Sequence, residues 1–210
     1  MADSRTGTSF SADLRRTSRF FMGEGEIYET LRRLARRLEE EQLDYALVGG
    51  LALVAHGYRR YTEDVDILMR PDTLARFRER LVGRGYRPAF PGATKIFRDT
   101  ETNVTIDVAT TGDFPGDGKP KPVAFPDPAG HQLQRDEFRL ITLEKLIELK
   151  LASGLSAPHR LRDLSDVQEL IVRLELPRDL AASLDPSVRT EYDRLWQAAQ
   201  SAPRSPGPTG

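Results

Sequence analysis

The strongest constraint on the fold is an ordered pattern in which a short apolar run ends at Gly49-Gly50 and a later apolar run carries Asp64 and Asp66. Side chains alternate between the two faces of a β-strand, so Asp64 and Asp66 share one face and Val65 takes the other. Two neighbouring carboxylates repel each other unless water or a cation lies between them. A hard, oxygen-seeking ion such as Mg²⁺ relieves this repulsion, so the pattern indicates a metal site on a sheet.

A third carboxylate, Asp107, lies in a later strand-like run, Val104 to Val108. Three carboxylates on neighbouring strands can hold two Mg²⁺ ions, which stabilise the attacking and leaving oxygens of a phosphoryl transfer. On that chemistry, Asp64 and Asp66 would bridge the two ions. Asp107 would bind the ion beside the nucleophile and accept its proton. These three aspartates are therefore the predicted catalytic and metal-binding residues.

The glycine pair suits the phosphate side of the same reaction. Gly49 and Gly50 have no side chain, so a phosphate can approach their backbone closely. The apolar segment that follows, from Leu51 to His56, has helical spacing and stops at Gly57. Free N–H groups at the start of such a helix favour anions, so Gly49, Gly50 and Leu51 are predicted to bind the triphosphate of a nucleotide.

Periodicity along the chain predicts alternating strands and helices. Apolar residues at helical spacing predict helices near residues 27–42, 51–56, 71–82, 159–174 and 188–200, with a further helix capped by Thr142. Short apolar runs predict strands near 45–48, 64–69, 86–87, 93–98, 103–109 and 138–141. This order predicts an α+β fold, in which helices flank a mixed β-sheet core and a C-terminal helical layer follows.

Composition shifts divide the chain into four parts. We expect a disordered arm over residues 1–22, a core over 23–141, a helical subdomain over 142–200 that packs on the core, and a disordered tail over 201–210. Residues 112–130 contain five prolines and four glycines, so an extended loop is predicted there, with one edge strand near 123–125. This loop is either a substrate loop or an exposed connection.

Composition excludes several classes of function. With no cysteine among the 210 residues there is no disulfide, thiolate zinc site or catalytic thiol, so a metal must rely on carboxylates. A formal net charge of −1 gives no bulk attraction to nucleic acid. No run approaches the roughly 18 apolar residues of a membrane span, and the start lacks a signal-peptide stretch. We therefore expect a cytoplasmic protein with no membrane partner. A P-loop ATPase or kinase is disfavoured because its phosphate-binding motif does not occur.

These motifs together resemble the DNA polymerase beta-like nucleotidyltransferase superfamily, through Gly49-Gly50, Asp64-Val65-Asp66 and Asp107. Within it, the chain is most similar to minimal bacterial nucleotidyltransferases of the AbiEii toxin type. That similarity includes Leu146 to Lys150 and Arg162 to Asp166, and it covers roughly residues 45 to 172. Gly50 stands where many members have a phosphate-binding serine, although some tRNA and lincosamide nucleotidyltransferases also have glycine there.

The resemblance implies roles for further residues. Lys150 would reach the triphosphate or support the acidic cluster, while Asp163 and Asp166 would orient the lysine or the helical layer. Lys150 lies on or beside an apolar stripe, so it needs an anionic partner, and a lysine that only extends its head to solvent is the plain alternative. Arg60 would contact phosphate, or it would pair with Glu63 on the surface.

The resemblance also implies a reaction: Mg²⁺-dependent transfer of a nucleoside monophosphate from a nucleoside triphosphate (NTP) to an acceptor. The toxin-type similarity favours RNA, especially tRNA, or protein as acceptor, in a toxin–antitoxin or phage-defence setting with a cognate antitoxin. Two alternatives stay open. One is an antibiotic-type nucleotidyltransferase that acts on a small molecule. The other is an inactive nucleotide-binding or interaction module.

Overall fold

The structure is a computed structural model that describes residues 25–58 and 60–201. The predicted arm over residues 1–22 and nearly all of the predicted tail lie outside this range. Helices α1 to α6 span Glu26–Glu40, Gly49–Ala55, Pro71–Leu81, Leu143–Ser156, Leu161–Arg173 and Pro186–Ser201. Strands β1 to β7 span Ala46–Leu47, Asp64–Met69, Tyr86–Pro88, Ile96–Asp99, Thr105–Thr110, Gln132–Arg135 and Phe138–Ile141.

The described chain divides into two compact units. The first contains the described residues up to Asp113 together with Ala124–Leu146, and the second contains Phe114–Val123 together with the described residues from Ile147 onward. The division falls inside α4. All seven strands belong to the first unit, and most of the C-terminal helical region belongs to the second.

The first unit is built on one mixed sheet with the strand order β3-β4-β5-β2-β1-β7-β6. Strand β2 pairs in parallel with β5, and β1 pairs in parallel with β7. The other neighbours are antiparallel. The chain therefore has the predicted α+β fold with a mixed sheet, helices and a C-terminal helical region.

One face of the central strands is apolar and forms the core of the first unit. Helix α1 follows its helical apolar spacing, since its buried side chains include Leu31, Leu34 and Leu38, each fully buried. The core cluster continues through the sheet and α3 with Val65, Ile67, Phe77, Phe97 and Ile106, all of them fully buried. Each such side chain contributes roughly 1.5–3 kcal/mol of burial free energy, which holds the strands in one register.

The second unit contains α5 and α6 and a loop fixed against α4. Helix α5 buries Leu164, Val167, Leu170 and Ile171, and α6 buries Val188, Tyr192 and Leu195. In the loop, Gly116 has φ +81°, and an added Cβ would lie 2.0 Å from Ser156 Oγ. The Asp117 N–H donates to the same hydroxyl at 3.1 Å. This part of the proline-rich segment therefore packs on the helix.

Several local predictions were wrong. Helix α2 begins at Gly49 instead of Leu51. Residues 123–125 form no strand, although Phe125 exchanges backbone hydrogen bonds with Gly112 and Asp113. Strand β6 was missed because its residues, Gln-Leu-Gln-Arg, lack apolar alternation, and it forms only through pairing with β7 at the sheet edge. Among the described residues, none of the helices combines the length and the apolar character that a membrane span requires.

Candidate metal and nucleotide site

The register of β2 and β5 brings the three predicted aspartates together. In this parallel pair Asp66 lies opposite Asp107, and Asp64 lies opposite Thr105. One carboxylate oxygen from each of Asp64, Asp66 and Asp107 lies within 4.8 Å of the others. Val65 and Ile106 are fully buried on the opposite face. Core packing therefore fixes which face the aspartates occupy.

The electrostatics of this acidic cluster are unfavourable in the absence of a cation. Burial raises the pKa of Asp107, and the negative charge of Asp64 raises it further. Both effects disfavour the charged carboxylate, and a bound cation would oppose both. Three half-buried oxygen donors without histidine or cysteine match the ligand preference of Mg²⁺ and do not match a structural zinc site. The residues present therefore fit the predicted metal.

Gly49 permits a very close approach between the start of α2 and Asp66. Its φ is +61°, a left-handed conformation that favours glycine, and an added Cβ would lie 1.9 Å from Asp66 Oδ2. The Gly50 N–H is directed at the same oxygen at 3.4 Å. The first helical hydrogen bond runs from Ala52 N to Val48 O, so the N–H groups of Gly49, Gly50 and Leu51 precede it. The predicted nucleotide-binding glycines thus border the acidic cluster.

Gly50 lies against the segment that leads into β2. An added Cβ would lie 2.7 Å from Thr62 Oγ1 and 3.3 Å from a guanidinium nitrogen of Arg60. Arg60 therefore borders the glycine turn, as a phosphate-contacting residue would. Glu63, the alternative partner of Arg60, accepts a hydrogen bond from Tyr61 Oη.

Thr62 belongs to the site and was not predicted from the sequence. Its hydroxyl donates to Asp64 Oδ1 at 2.7 Å, and the residue is 8% exposed. A usable signal existed, because Thr62, Asp64 and Asp66 occupy alternate positions and so share a face in an extended chain. Thr62 lies before the predicted strand, so the alternation was not extended to it.

Lys150, the remaining predicted nucleotide-binding residue, lies in the second unit within a charged cluster. Its ammonium donates to Asp163 Oδ1 and to Asp166 Oδ2, each at 2.8 Å. Ser153 Oγ donates to Asp163 Oδ2 at 2.6 Å. Burial alone would raise the pKa of Asp163, but the charge and hydrogen bond of Lys150 hold it below its usual value. The lysine has the anionic partners that its apolar surroundings require, and two of its three donors are directed at them.

His56 is the C-cap residue of α2, one residue after the helix ends at Ala55. Its Nε2 lies 2.9 Å from the Ile141 carbonyl, and burial lowers its pKa. This contact joins α2 to β7, so His56 has a structural position.

Comparisons with known proteins show the fold. No family model and no curated protein matches the chain. An antigenic nucleotidyltransferase-like protein from Paracoccidioides brasiliensis is 17% identical, with 82% of this chain and 88% of that chain covered and a TM-score of 0.51. ANT(2'')-Ia in complex with adenylyl-2''-tobramycin is 13% identical, with 82% and 96% covered and a TM-score of 0.50. At such low identity the chain shares a nucleotidyltransferase-like fold with these proteins, and the likeness extends no further.

Proposed function

We propose that this chain is a Mg²⁺-dependent nucleotidyltransferase that transfers a nucleoside monophosphate from an NTP to an acceptor. The observation that carries the proposal is the meeting of Asp64, Asp66 and Asp107 on adjacent strands, within 4.8 Å of one another. The glycine turn that borders Asp66 supports it. The nucleotidyltransferase-like fold agrees with it. An inactive module is the weaker alternative, because all three carboxylates and their geometry are present.

In the proposed reaction, an acceptor hydroxyl attacks the α-phosphorus of the NTP. A new P–O bond forms, the bond to the bridging oxygen breaks, and pyrophosphate leaves. Bound Mg²⁺ would supply positive charge that stabilises the attacking and leaving oxygens, and two ions are proposed for the full site. Asp64 and Asp66 on β2 would hold the metal. Asp107 completes the site from β5 and accepts the proton of the attacking hydroxyl.

The phosphates of the donor are assigned to the start of α2. Gly49 and Gly50 have no side chain between their backbone N–H groups and an approaching phosphate, and Leu51 adds the next N–H in the first helical turn. Arg60 is close enough to Gly50 to contribute positive charge at that turn. Lys150 is a proposed triphosphate contact on the resemblance alone.

For the acceptor we propose RNA, with tRNA first, or a protein side chain, in the setting of an AbiEii-type toxin with a cognate antitoxin. The similarity of Leu146–Lys150 and Arg162–Asp166 to that group supports this choice. A small-molecule acceptor is the second candidate. The fold shared with ANT(2'')-Ia, solved with adenylyl-2''-tobramycin, favours it.

The test is a labelling experiment with the purified full chain. The protein is incubated with Mg²⁺ and each α-labelled NTP in turn, with total RNA, cell protein and tobramycin supplied as separate acceptors. We expect label on one acceptor class, dependent on Mg²⁺. Label on RNA or protein supports the first candidate, and label on tobramycin supports the second.

Two aspartate variants make the experiment specific. Asp64→Asn removes charge from the metal site while keeping its shape, so label transfer should be lost. Asp72→Asn is the matched control, because Asp72 is exposed on α3 and forms a surface salt bridge with Arg70. The absence of label on every acceptor, or transfer that Asp64→Asn leaves unchanged, would contradict the proposal.

A further inference from the structure

The hydroxyl of Thr62 donates a hydrogen bond to the carboxylate of Asp64. Thr62 is 8% exposed, and its Oγ1 donates its only proton to Asp64 Oδ1 at 2.7 Å. Asp64 is the first residue of β2, where the strand follows the segment that contains Thr62. A carboxylate at a strand end keeps rotamer freedom unless a neighbour restrains it. The threonine provides that restraint.

We infer that Thr62 is a positioning residue for the divalent-cation site, in which its hydroxyl orients Asp64 and the absence of a side chain at Gly50 leaves it room. The inference rests on the proposed function, since it assigns Asp64 to a metal. Donation to Oδ1 restrains the rotation of the carboxylate, so its remaining lone pairs would be presented to a cation in one orientation.

The space beside Gly50 supports the inference that this glycine leaves room for Thr62. An added Cβ would lie 2.7 Å from Thr62 Oγ1 and 2.8 Å from Thr62 Cβ. Both separations are shorter than real contacts of a Cβ atom, so any larger residue displaces the threonine or the turn. A serine at position 50 has no space while Thr62 holds Asp64. The glycine at this position therefore matches the threonine that stands beside it.

The test measures binding of Mn²⁺ alone to the full chain by isothermal titration calorimetry. Thr62→Val keeps the shape and removes the hydroxyl, so we expect Mn²⁺ affinity to fall by about 10- to 100-fold. Thr62→Ser keeps the hydroxyl and should stay within about threefold of the wild type. Should Thr62→Val fail to fold, Thr62→Ala replaces it, because it also lacks the hydroxyl and adds no bulk.

A matched control separates positioning from loss of stability. Thr30 is a buried threonine on α1 whose hydroxyl bonds that of Thr102 at 2.5 Å, so Thr30→Val makes the same chemical change elsewhere. We expect Thr30→Val to lower the unfolding temperature and leave Mn²⁺ affinity unchanged. An equal loss of affinity in Thr30→Val would mean that the effect is structural, which overturns the inference.

The outcomes distinguish the inference from the proposed function. If the wild type binds no Mn²⁺, the proposed function fails. If the wild type binds Mn²⁺ and Thr62→Val binds it equally well, the inference alone fails. Gly50→Ala tests the coupling, because it should weaken Mn²⁺ binding by displacing Thr62. In the double variant with Thr62→Val the two losses should then be less than additive. Fully additive losses would overturn the coupling.

Discussion

Two charged clusters of this chain differ in how their carboxylates are compensated: one contains a lysine, and the other consists of three aspartates. In the second unit, Lys150 lies between Asp163 and Asp166, at 2.8 Å from each, and the pKa of Asp163 is lowered. In the first unit, Asp64, Asp66 and Asp107 approach within 4.8 Å, and the pKa of Asp107 is raised. Burial disfavours charge in both places, so the difference in sign comes from the neighbouring charges.

This difference teaches which cluster is built to receive a ligand. A buried carboxylate that meets its own lysine is satisfied by folding alone, and such clusters hold structure. A carboxylate whose burial and acidic neighbour raise its pKa lacks charge compensation, which an added cation supplies. The charges of the Lys150 cluster therefore compensate one another on folding, whereas the three-aspartate cluster lacks such compensation.

The largest expected effect is on catalysis. Asp107→Asn removes the charge and the proposed proton acceptor from β5, so nucleotidyl transfer should fall on the order of a thousandfold or more. The measurement is the rate of label transfer, at saturating Mg²⁺ and NTP, to whichever acceptor the labelling experiment identifies. A rate within about tenfold of the wild type would remove Asp107 from the reaction.

The next effect tests the Lys150 cluster. Lys150 is 7% exposed and Asp166 is 2% exposed, so Lys150→Met removes a buried cation from the buried carboxylate of Asp166 and from the half-buried one of Asp163. We expect a loss of about 3–5 kcal/mol in the free energy of unfolding, measured by urea denaturation. Lys119→Met, an exposed change in the same unit, should stay within about 0.5 kcal/mol. Normal stability with lost NTP affinity would instead make Lys150 a nucleotide ligand first.

A smaller effect is expected in the pH dependence of stability when wild type is compared with Asp163→Asn. The folded pKa of Asp163 lies below the ordinary value of 3.8, so its stabilising charge is fully present above that value. The stability difference between wild type and Asp163→Asn should therefore be constant from about pH 7 to about pH 5. It should shrink as pH falls through 3.8 and the folded pKa below it. Urea midpoints across this range measure it, and a difference that shrinks already near neutral pH would contradict the lowered pKa.

The smallest expected effect is a gain in stability, whereas the effects above are losses. In metal-free protein, Asp107→Asn removes a charge whose pKa is raised by burial and by Asp64, so it should stabilise the fold. The gain should be below about 1 kcal/mol, because the residue is half-buried and solvent screens it. Thermal unfolding in a chelator measures the change. A clear destabilisation would show that Asp107 is a structural residue, and the comparison of the two clusters would fail.

Much of the fold was predictable because local patterns and tertiary packing agree. Strand β2 was predicted with its observed bounds, since Asp64 and Asp66 alternate with Val65 and Ile67 over a buried face. Strand β6 was not predictable, because its pairing with β7 holds a polar sequence at the sheet edge. The formation of β6 depends on its pairing with β7, which the local sequence does not indicate.

The candidate site likewise has a part that local sequence predicts and a part that depends on tertiary pairing. The aspartates were found because their residue type and alternation carry chemistry in the sequence itself. The register that sets Asp66 beside Asp107, and the contact between Thr62 and Gly50, exist only after the sheet forms. Thr62 alternates with Asp64 and Asp66 in the sequence, but its hydrogen bond to Asp64 forms only once the segment before β2 is in place.

The most direct test of the central claim is the response of the unfolding temperature to Mg²⁺. A cation at about 100 times its dissociation constant adds about 2.7 kcal/mol to the free energy of unfolding, which corresponds to roughly 5–10 °C for a chain of this size. The wild type and Asp72→Asn should show this rise, and Asp64→Asn should not. A wild type without a Mg²⁺-dependent rise, or an equal rise in Asp64→Asn, would contradict the assignment of the three aspartates to a metal.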